Sequence, residues 1–331
     1  MLSQQFELCG VHPDTTVTVL SDELSDPQIK SNSLLALERI GCRTISVALP
    51  FSNRETLMER VQSGSASLAL SESDLVIDLS QRIGPNDMDE VPLSDVRVLS
   101  VDYKGPDGIG NLITSAGAYQ RAVKIDGLLN ESEYLTISSS FGTQVEFGLN
   151  NCSWSLETGI PTHEGSVAKW PSGCVQLFPE RVDVDAEIVA MPGDVVLDAL
   201  HIIKNPVRIQ IEKGNIVDIK GESSDANLIR AQLEYGQDPE SSYAFRSLIL
   251  GLSLHADSNF VGPFDSNKIG GRKGAFHAGW VTVTTGSIDN PVLSLTLTNT
   301  NVSVDNIVLF SAGELSANLK PDIYELAALQ T

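Results

Sequence analysis

An α/β domain followed by a β-rich α+β domain is the fold class this sequence predicts, and two observations predict it. In the amino-terminal part, short apolar runs alternate with segments whose apolar residues recur at helical spacing, the pattern of a parallel sheet covered by helices. After about residue 130 the period changes to two, with turn formers between the runs, as in antiparallel strands. The expected organisation is residues 1–128 as a Rossmann-like α/β domain and 129–331 as a β-rich cleft domain. The boundary is expected in the polar stretch between Ala122 and Glu133.

The elements follow in order. Thr15 to Leu20 reads as a buried strand, and Pro27 to Ile40 as a helix with Ile29, Leu34, Leu37 and Ile40 on one face and Gly41 at its end. Thr44 to Leu49 is a second strand, Glu55 to Val61 a helix, and Leu75 to Leu79 and Arg97 to Val101 two further strands. Later strands are expected at Tyr134 to Ser138, Gln144 to Phe147, Val195 to Leu197, Val207 to Ile211, Val281 to Thr285, Leu293 to Leu297 and Ile307 to Phe310. Leu228 to Tyr235 is the expected helix among them.

Composition sets bounds on function. An apolar fraction of 41% over 331 residues supplies a core for two domains or one large one. The 43 acidic residues outnumber 22 basic ones, giving a net charge of -21 without any Lys/Arg run, so most faces repel a phosphate backbone. Nucleic acid is excluded as an expected partner. Four cysteines, Cys9, Cys42, Cys152 and Cys174, stand without CxxC spacing, which encodes neither a zinc site nor a local disulfide framework. No apolar run reaches the eighteen or so residues of a membrane span, and Met1 to Asp14 lacks a signal-type apolar segment. A cytoplasmic protein is expected.

Several segments carry a family resemblance. Lys169-Trp170-Pro171-Ser172-Gly173, then Ile211 to Ile216, then Asp238-Pro239-Glu240 resemble, in order and spacing, the iron-dependent 2,5-dihydroxypyridine dioxygenases, relatives of the M29 aminopeptidases. Val17 to Leu20, Ser25-Asp26-Pro27, Ala48-Leu49-Pro50 and Ser73 to Asp78 follow the same family's amino-terminal half. The resemblance implies an M29 aminopeptidase-like fold and a homodimer. It also places the family's iron-binding His and His-x-Asp pair at Ser247, Val292 and Ser294. Valine has no donor atom, and a neutral hydroxyl is a poor ligand for a divalent transition metal. No cofactor or metal is therefore expected, and the inherited iron chemistry should be gone.

Of the M29 ligand segments, only Ala275-Phe276-His277-Ala278-Gly279 retains its residue, His277; the others map to Cys174, Ser247, Ser266, Val292 and Ser294. One imidazole among such neighbours does not make a stable cage, so His277 is expected to line a pocket. His255-Ala256-Asp257 places an imidazole and a carboxylate on one face if extended, but its turn-forming surroundings favour a solvated loop. His12 and His201 have no partner near them in sequence. His163-Glu164 lies in a Gly/Pro-punctuated loop that, in this fold, borders the cleft.

Lys169 stands where the dioxygenases place a His, and a lysine there suits a carboxylate anchor better than a general base. Ser247 is expected to face the same cleft, with no adjacent base to activate it. Gly105 to Gly110 lacks a P-loop Lys-Ser/Thr and reads as a turn, and Gly270 to Gly274 as a hairpin loop.

Two functional classes result. In the first, the emptied cleft binds a precursor peptide. This resembles the peptide-binding proteins of crocagin-type ribosomal-peptide pathways, which guide formation of a pyrroloindoline core alongside tailoring enzymes. Peptides add to strand edges without a metal, and a groove that folds an indole onto its own backbone raises the effective concentration for ring closure. The expected ligand-binding residues are His163, Lys169, Trp170, Arg246, Ser247, His277 and Trp280. In the second class a site rebuilt around His277, His255, Asp257 or His163 makes the protein a metal-dependent hydrolase or ring-opening enzyme. Its catalytic residues are not specified by any motif.

Overall fold

The computed structural model describes residues 2–49, 65–80, 96–101, 116–180, 184–236, 238–254, 275–287, 291–321 and 325. Three sheets, of five, eight and seven strands, organise the described residues. The α/β and β-rich architecture is as expected. The chain forms two compact units: Met1–Tyr119 with Glu157–Ser172, and Gln120–Leu156 with Gly173–Thr331.

In the first unit, β1 (Thr16–Ser21), β2 (Arg43–Ala48), β3 (Leu75–Asp78) and β4 (Arg97–Val101) are parallel. The second unit then supplies β5 (Tyr134–Ser138), β6 (Gln144–Gly148) and β7 (Cys152–Glu157), after which the chain returns for β8 (Val167–Trp170). Strand β8 completes the parallel sheet in the order β2-β1-β3-β4-β8, a doubly wound arrangement. Residues 157–172, expected in the second domain, thus lie in the first unit, because β8 finds its hydrogen-bond partners on β4. Both β1 and β3 are buried along their whole length: β3 is apolar except for Asp78, whereas β1 interleaves Val17, Val19 and Leu20 with the buried hydroxyl residues Thr16, Thr18 and Ser21.

The helix Pro27–Ile40 starts as its sequence dictates. Asp26 accepts hydrogen bonds from the N–H groups of Gln28 and Ile29, Pro27 opens the first turn, and Gly41 closes the helix in the left-handed region at φ 83°. The expected helix Glu55 to Val61 and the two glycine-rich segments, Gly105 to Gly110 and Gly270 to Gly274, lie outside the described residues.

A helix over Ala116–Glu131 occupies the stretch in which a polar boundary was expected, and the 128/129 division falls inside it. Ala118, Ala122, Ile125 and Leu129 are buried along it, a spacing of four, three and four that marks one helical face.

The rest of the second unit is antiparallel. It continues with β9 (Cys174–Pro179), β10 (Asp185–Ala190), β11 (Val195–Val196), β12 (His201–Ile202), β13 (Val207–Glu212), β14 (Asn215–Lys220) and β15 (Phe245–Gly251). Then come β16 (Val281–Gly286), β17 (Pro291–Leu297), β18 (Asn301–Val304), β19 (Ile307–Ser311) and β20 (Glu314–Leu315). The eight-stranded sheet runs β14-β13-β10-β6-β5-β18-β19-β20 and the seven-stranded sheet β12-β11-β17-β16-β15-β9-β7. Strand β13 shows the expected alternation, burying Val207, Ile209 and Ile211 while the residues between them are at least partly exposed. Strand β16 differs, because all six of its residues are buried. The centre of the seven-stranded sheet is thus covered on both faces, although one face carries hydroxyls.

Candidate ligand site on the seven-stranded sheet

The hydroxyl face is built by register. Ser247 on β15 pairs with Thr284 on β16, and Thr284 pairs with Ser294 on β17, so the three side chains share one face in a row across three strands. Ser247 Oγ and Thr284 Oγ1 share an O–H···O bond of 2.7 Å, and Gln176 Nε2 on β9 donates to Ser247 Oγ at 2.9 Å. At the far end of the row, the backbone N–H of Ser294 donates to Asp198 Oδ2 and its Oγ donates to Asp198 Oδ1 at 3.2 Å. One step along the strands, Thr282 and Thr296 repeat the pattern, with their hydroxyls 2.7 Å apart.

Ser247 is wholly buried, at 0% exposure. The expectation that it faces an open cleft is corrected here: its oxygen accepts from Gln176 and is joined to Thr284, leaving it inside a filled network rather than on a contact surface.

The same region has an apolar and aromatic border. Val195, Leu197 and Ala275 form a small buried cluster against which Ile249, Phe276 and Trp280 pack. The segment 275–280 is held against the end of β15: Gly251 N donates to Trp280 O at 2.9 Å, and Ser253 N donates to Phe276 O at 2.8 Å. Gly251 is required there, since a Cβ on it would lie 2.1 Å from the carbonyl oxygen of His277. The imidazole of His277 stacks on Trp280, with ring centroids 4.1 Å apart and planes inclined by 25°.

Burial lowers the His277 pKa from its ordinary range, partly offset by the hydrogen bond between Nδ1 and Ala278 O at 3.1 Å. At neutral pH it is a neutral ring that donates through Nδ1 and forms part of a half-buried aromatic surface.

Arg246 precedes Ser247 at an irregularity where the β15–β16 register shifts between Phe245 and Ser247. It is half-buried. Its Nε is shielded from solvent and has no hydrogen-bond partner among the described residues. In the second unit Arg246 and Ser247 therefore lie near the start of β15, and the His277–Trp280 stack lies beside its end.

His163, Lys169 and Trp170 belong to the first unit. His163 is exposed in a turn in which its backbone N–H donates to Ser166 Oγ at 3.2 Å. Lys169 is exposed on β8, paired in register with Ser100. Trp170, expected to offer its ring to a ligand, is 0% exposed and packed in the core with Leu75, Ile77, Leu99 and Val101. Its role is packing, because alternation along β8 turns it inward while Lys169 points out.

His201 does have a partner, invisible to local sequence. Its Nε2 lies 2.6 Å from Oδ1 of the buried Asp225, whose Oδ2 accepts from Asn205 N and Nδ2 at 2.9 Å each. None of the four cysteines forms a disulfide, and burial pushes the Cys9 thiol up to about 12 and Cys152 up to about 11.

Comparison with known proteins sets this geometry in a lineage. Residues 1–317 match the family of 2,5-dihydroxypyridine 5,6-dioxygenase, NicX. The chain belongs to that family. It is 25% identical to the 2,5-dihydroxypyridine 5,6-dioxygenase of Pseudomonas putida over 281 residues, 80% of this chain and 79% of that one. The solved structure of the 2,5-dihydroxypyridine dioxygenase from Pseudomonas putida KT2440 superposes with a TM-score of 0.78 at 22% identity, covering 96% of both chains. Wild-type AmpT from Thermus thermophilus superposes with a TM-score of 0.52 at 12% identity, covering 96% of this chain and 99% of that one. The M29 aminopeptidase-like fold expected from the sequence is thereby established.

The positions to which the family resemblance assigns iron ligands carry donors that do not fit the metal in this family member. A cation needs lone pairs directed at it, and Ser247 Oγ already accepts from Gln176 Nε2 and shares an O–H···O bond with Thr284 Oγ1. Val292 is a hydrocarbon, and the Ser294 hydroxyl is turned to Asp198. Among the described residues no group of three or more His, Cys, Asp or Glu side chains is arranged to hold a metal ion. His255, Asp257 and Ser266 lie outside the described residues. No described helix is long and apolar enough to cross a membrane.

Proposed function

We propose that this member of the dioxygenase family is a metal-independent precursor-peptide-binding protein. In this reading it assists pyrroloindoline-type core formation in a crocagin-like ribosomal-peptide pathway, as a cytoplasmic homodimer beside the pathway's tailoring enzymes. The observation that carries the reading is the hydrogen-bonded filling of the iron locus by Ser247, Thr284 and Gln176. A locus filled in this way supports recognition over redox chemistry as the use of the scaffold. The half-buried His277–Trp280 stack supports an aromatic side chain as one element recognised, because stacking and edge contacts to such a surface contribute about 0.5–1.5 kcal/mol beyond area burial.

Two measurements test the proposal together. Elemental analysis of protein purified without added metal is expected to find far less than one equivalent of iron, with no oxygen uptake on 2,5-dihydroxypyridine. Calorimetric titration with the precursor peptide encoded beside the gene is expected to give saturable binding that chelators leave unchanged. Stoichiometric iron together with ring-opening activity would overturn the reading in favour of an enzyme.

A further inference from the structure

We infer that β2 is a dimer edge: it pairs antiparallel with β2 of a second copy of this chain, joining the two five-stranded sheets into one across a twofold axis. The inference supplies an interface for the homodimer of the proposed function and is independent of whether that function is peptide binding.

The first argument is the hydrogen-bonding capacity that β2 leaves open. Arg43 N donates to Thr15 O and Leu49 N donates to Ser21 O, so the odd-numbered residues of β2 turn their backbone groups to β1. By alternation Thr44, Ser46 and Ala48 turn theirs outward, on the side that has no neighbour in the sheet order β2-β1-β3-β4-β8. All three are exposed, and their backbone groups have no partner on that side among the described residues. An open edge of this kind is a template for another strand.

The other sheet edges are guarded. Strands β12 and β20 have two residues each, β8 carries Lys169, and five of the six residues of β7 are partly buried. Strand β14 is capped, with Ile216 N bonded to Tyr243 O and the Arg230 guanidinium bonded to the carbonyls of Ile219 and Gly221. By contrast, β2 pairs six residues with β1 in unbroken register and contains neither proline nor lysine.

The second argument is self-complementarity, which selects a second copy as the occupant. Antiparallel pairing centred on Ser46 sets Ser46 against Ser46 of the partner subunit and Thr44 against the partner's Ala48. Every outward N–H and C=O of both strands is then satisfied, in about six bonds. The same register sets Ile45 against the partner's Val47, a β-branched apolar pair, and opposes no like charges, since Arg43 meets the partner's Leu49. A register centred on Ile45 or Val47 pairs only two of the three outward residues within the strand. The helix Ser65–Ser71, which contacts β2, leaves Leu68 70% exposed, apolar surface that a second copy at this edge can cover.

The test is sedimentation velocity on the full chain across a concentration series, with Tm recorded for each variant. Ser46→Pro removes an outward N–H and no bond to β1, so it is expected to leave the fold and to raise the dimer dissociation constant at least about a hundredfold. Ser46→Lys, which sets like charges face to face on the axis, is expected to do the same, and Ser46→Thr to leave the dimer intact. Crosslinking reads the register. Ser46→Cys sets two thiols opposite each other with about 5.5 Å between Cα atoms and is expected to give a reducible covalent dimer, whereas Ala48→Cys sets them roughly 14 Å apart and is not. An unaltered chain that stays monomeric at about 100 µM overturns both this interface and the homodimer. A dimer that persists in folded Ser46→Pro and Ser46→Lys, or crosslinking by Ala48→Cys as efficient as by Ser46→Cys, overturns the interface and leaves the homodimer standing. A monomer whose precursor-peptide binding is abolished by Ser46→Pro assigns the edge to the peptide, which overturns the second copy as occupant while supporting the peptide reading.

Discussion

Substituting Ser247 by alanine isolates the network that fills the iron locus. The change removes one oxygen that accepts from Gln176 Nε2 at 2.9 Å and joins Thr284 Oγ1 at 2.7 Å. Thr284 is buried and keeps only a long contact of 3.4 Å to the carbonyl of Ser247, so its hydroxyl loses its good partner. A buried polar group left unsatisfied costs about 1–3 kcal/mol, and half-buried Gln176 adds an amount at the lower end of that range. The expected total is about 2–4 kcal/mol. For a unit of this size that corresponds to a fall in Tm of about 5–15 °C, read by differential scanning calorimetry. Thr284→Val removes the other end of the same bond. The double variant is therefore expected to be more stable than the sum of the single losses implies, by about 1 kcal/mol. A Ser247→Ala protein within 0.5 kcal/mol of the unaltered chain, or strict additivity in the double variant, would refute the network as described.

Two other perturbations probe contacts that local sequence does not announce. Gly251→Ala is expected to cost about 2 kcal/mol or more and to raise hydrogen exchange at Gly251 N and Ser253 N, since the new methyl collides with the His277 and Ala275 carbonyls and the segment 275–280 must move. His201→Ala is expected to cost about 1–3 kcal/mol at pH 7 by leaving Asp225 Oδ1 unpaired. Burial raises the Asp225 pKa, but hydrogen bonds from His201, Asn205 and the Lys204 backbone outweigh it and bring the folded value below the ordinary 3.8. Its stabilisation is thus complete above 3.8 and lost as the pH falls through the lower folded value. The gap in Tm between the two proteins is accordingly expected to narrow in acid, and a gap that widens below pH 3.8 would contradict the assignment.

The parts of the fold legible in sequence were those whose signal is local. Strand β3 appears as a short apolar run and β1 as β-branched residues around Val17, Val19 and Leu20, both buried throughout, and the helix Pro27–Ile40 carries its cap, its proline and its terminal glycine in order. The helix Ala116–Glu131 was obscured by Gly117 and Gly127 and by charged residues on its outer face, although the buried positions from Ala118 to Leu129 kept the right spacing. Strand β8 has four residues and is defined by pairing with β4, more than sixty positions earlier, so its membership of the first unit has no local trace. The Trp-Pro-Ser-Gly motif located Trp170 correctly in the chain but could not give its direction, which alternation resolves inward. The site shows the same division. The replacement of metal ligands was legible as residue identity at Ser247, Val292 and Ser294, whereas the partners that make the replacement stable, Thr284, Gln176 and Asp198, came only with strand register.

That register also explains why the substitutions belong together. A carboxylate retained at 294 without its metal would be a desolvated charge beside two hydroxyls, and removal of a charge partner in such a setting costs about 3–5 kcal/mol. An imidazole retained at 247 would have to fit a position that is fully enclosed. Serines at both positions give hydroxyls that hydrogen-bond to what is already there, one to a threonine and a glutamine, the other to Asp198. The core of the seven-stranded sheet is thereby satisfied without a cation. Arg246 is the exception beside it: the region that matched its hydroxyls to neighbours left a half-buried guanidinium unmatched among the described residues, although acidic residues outnumber basic ones 43 to 22.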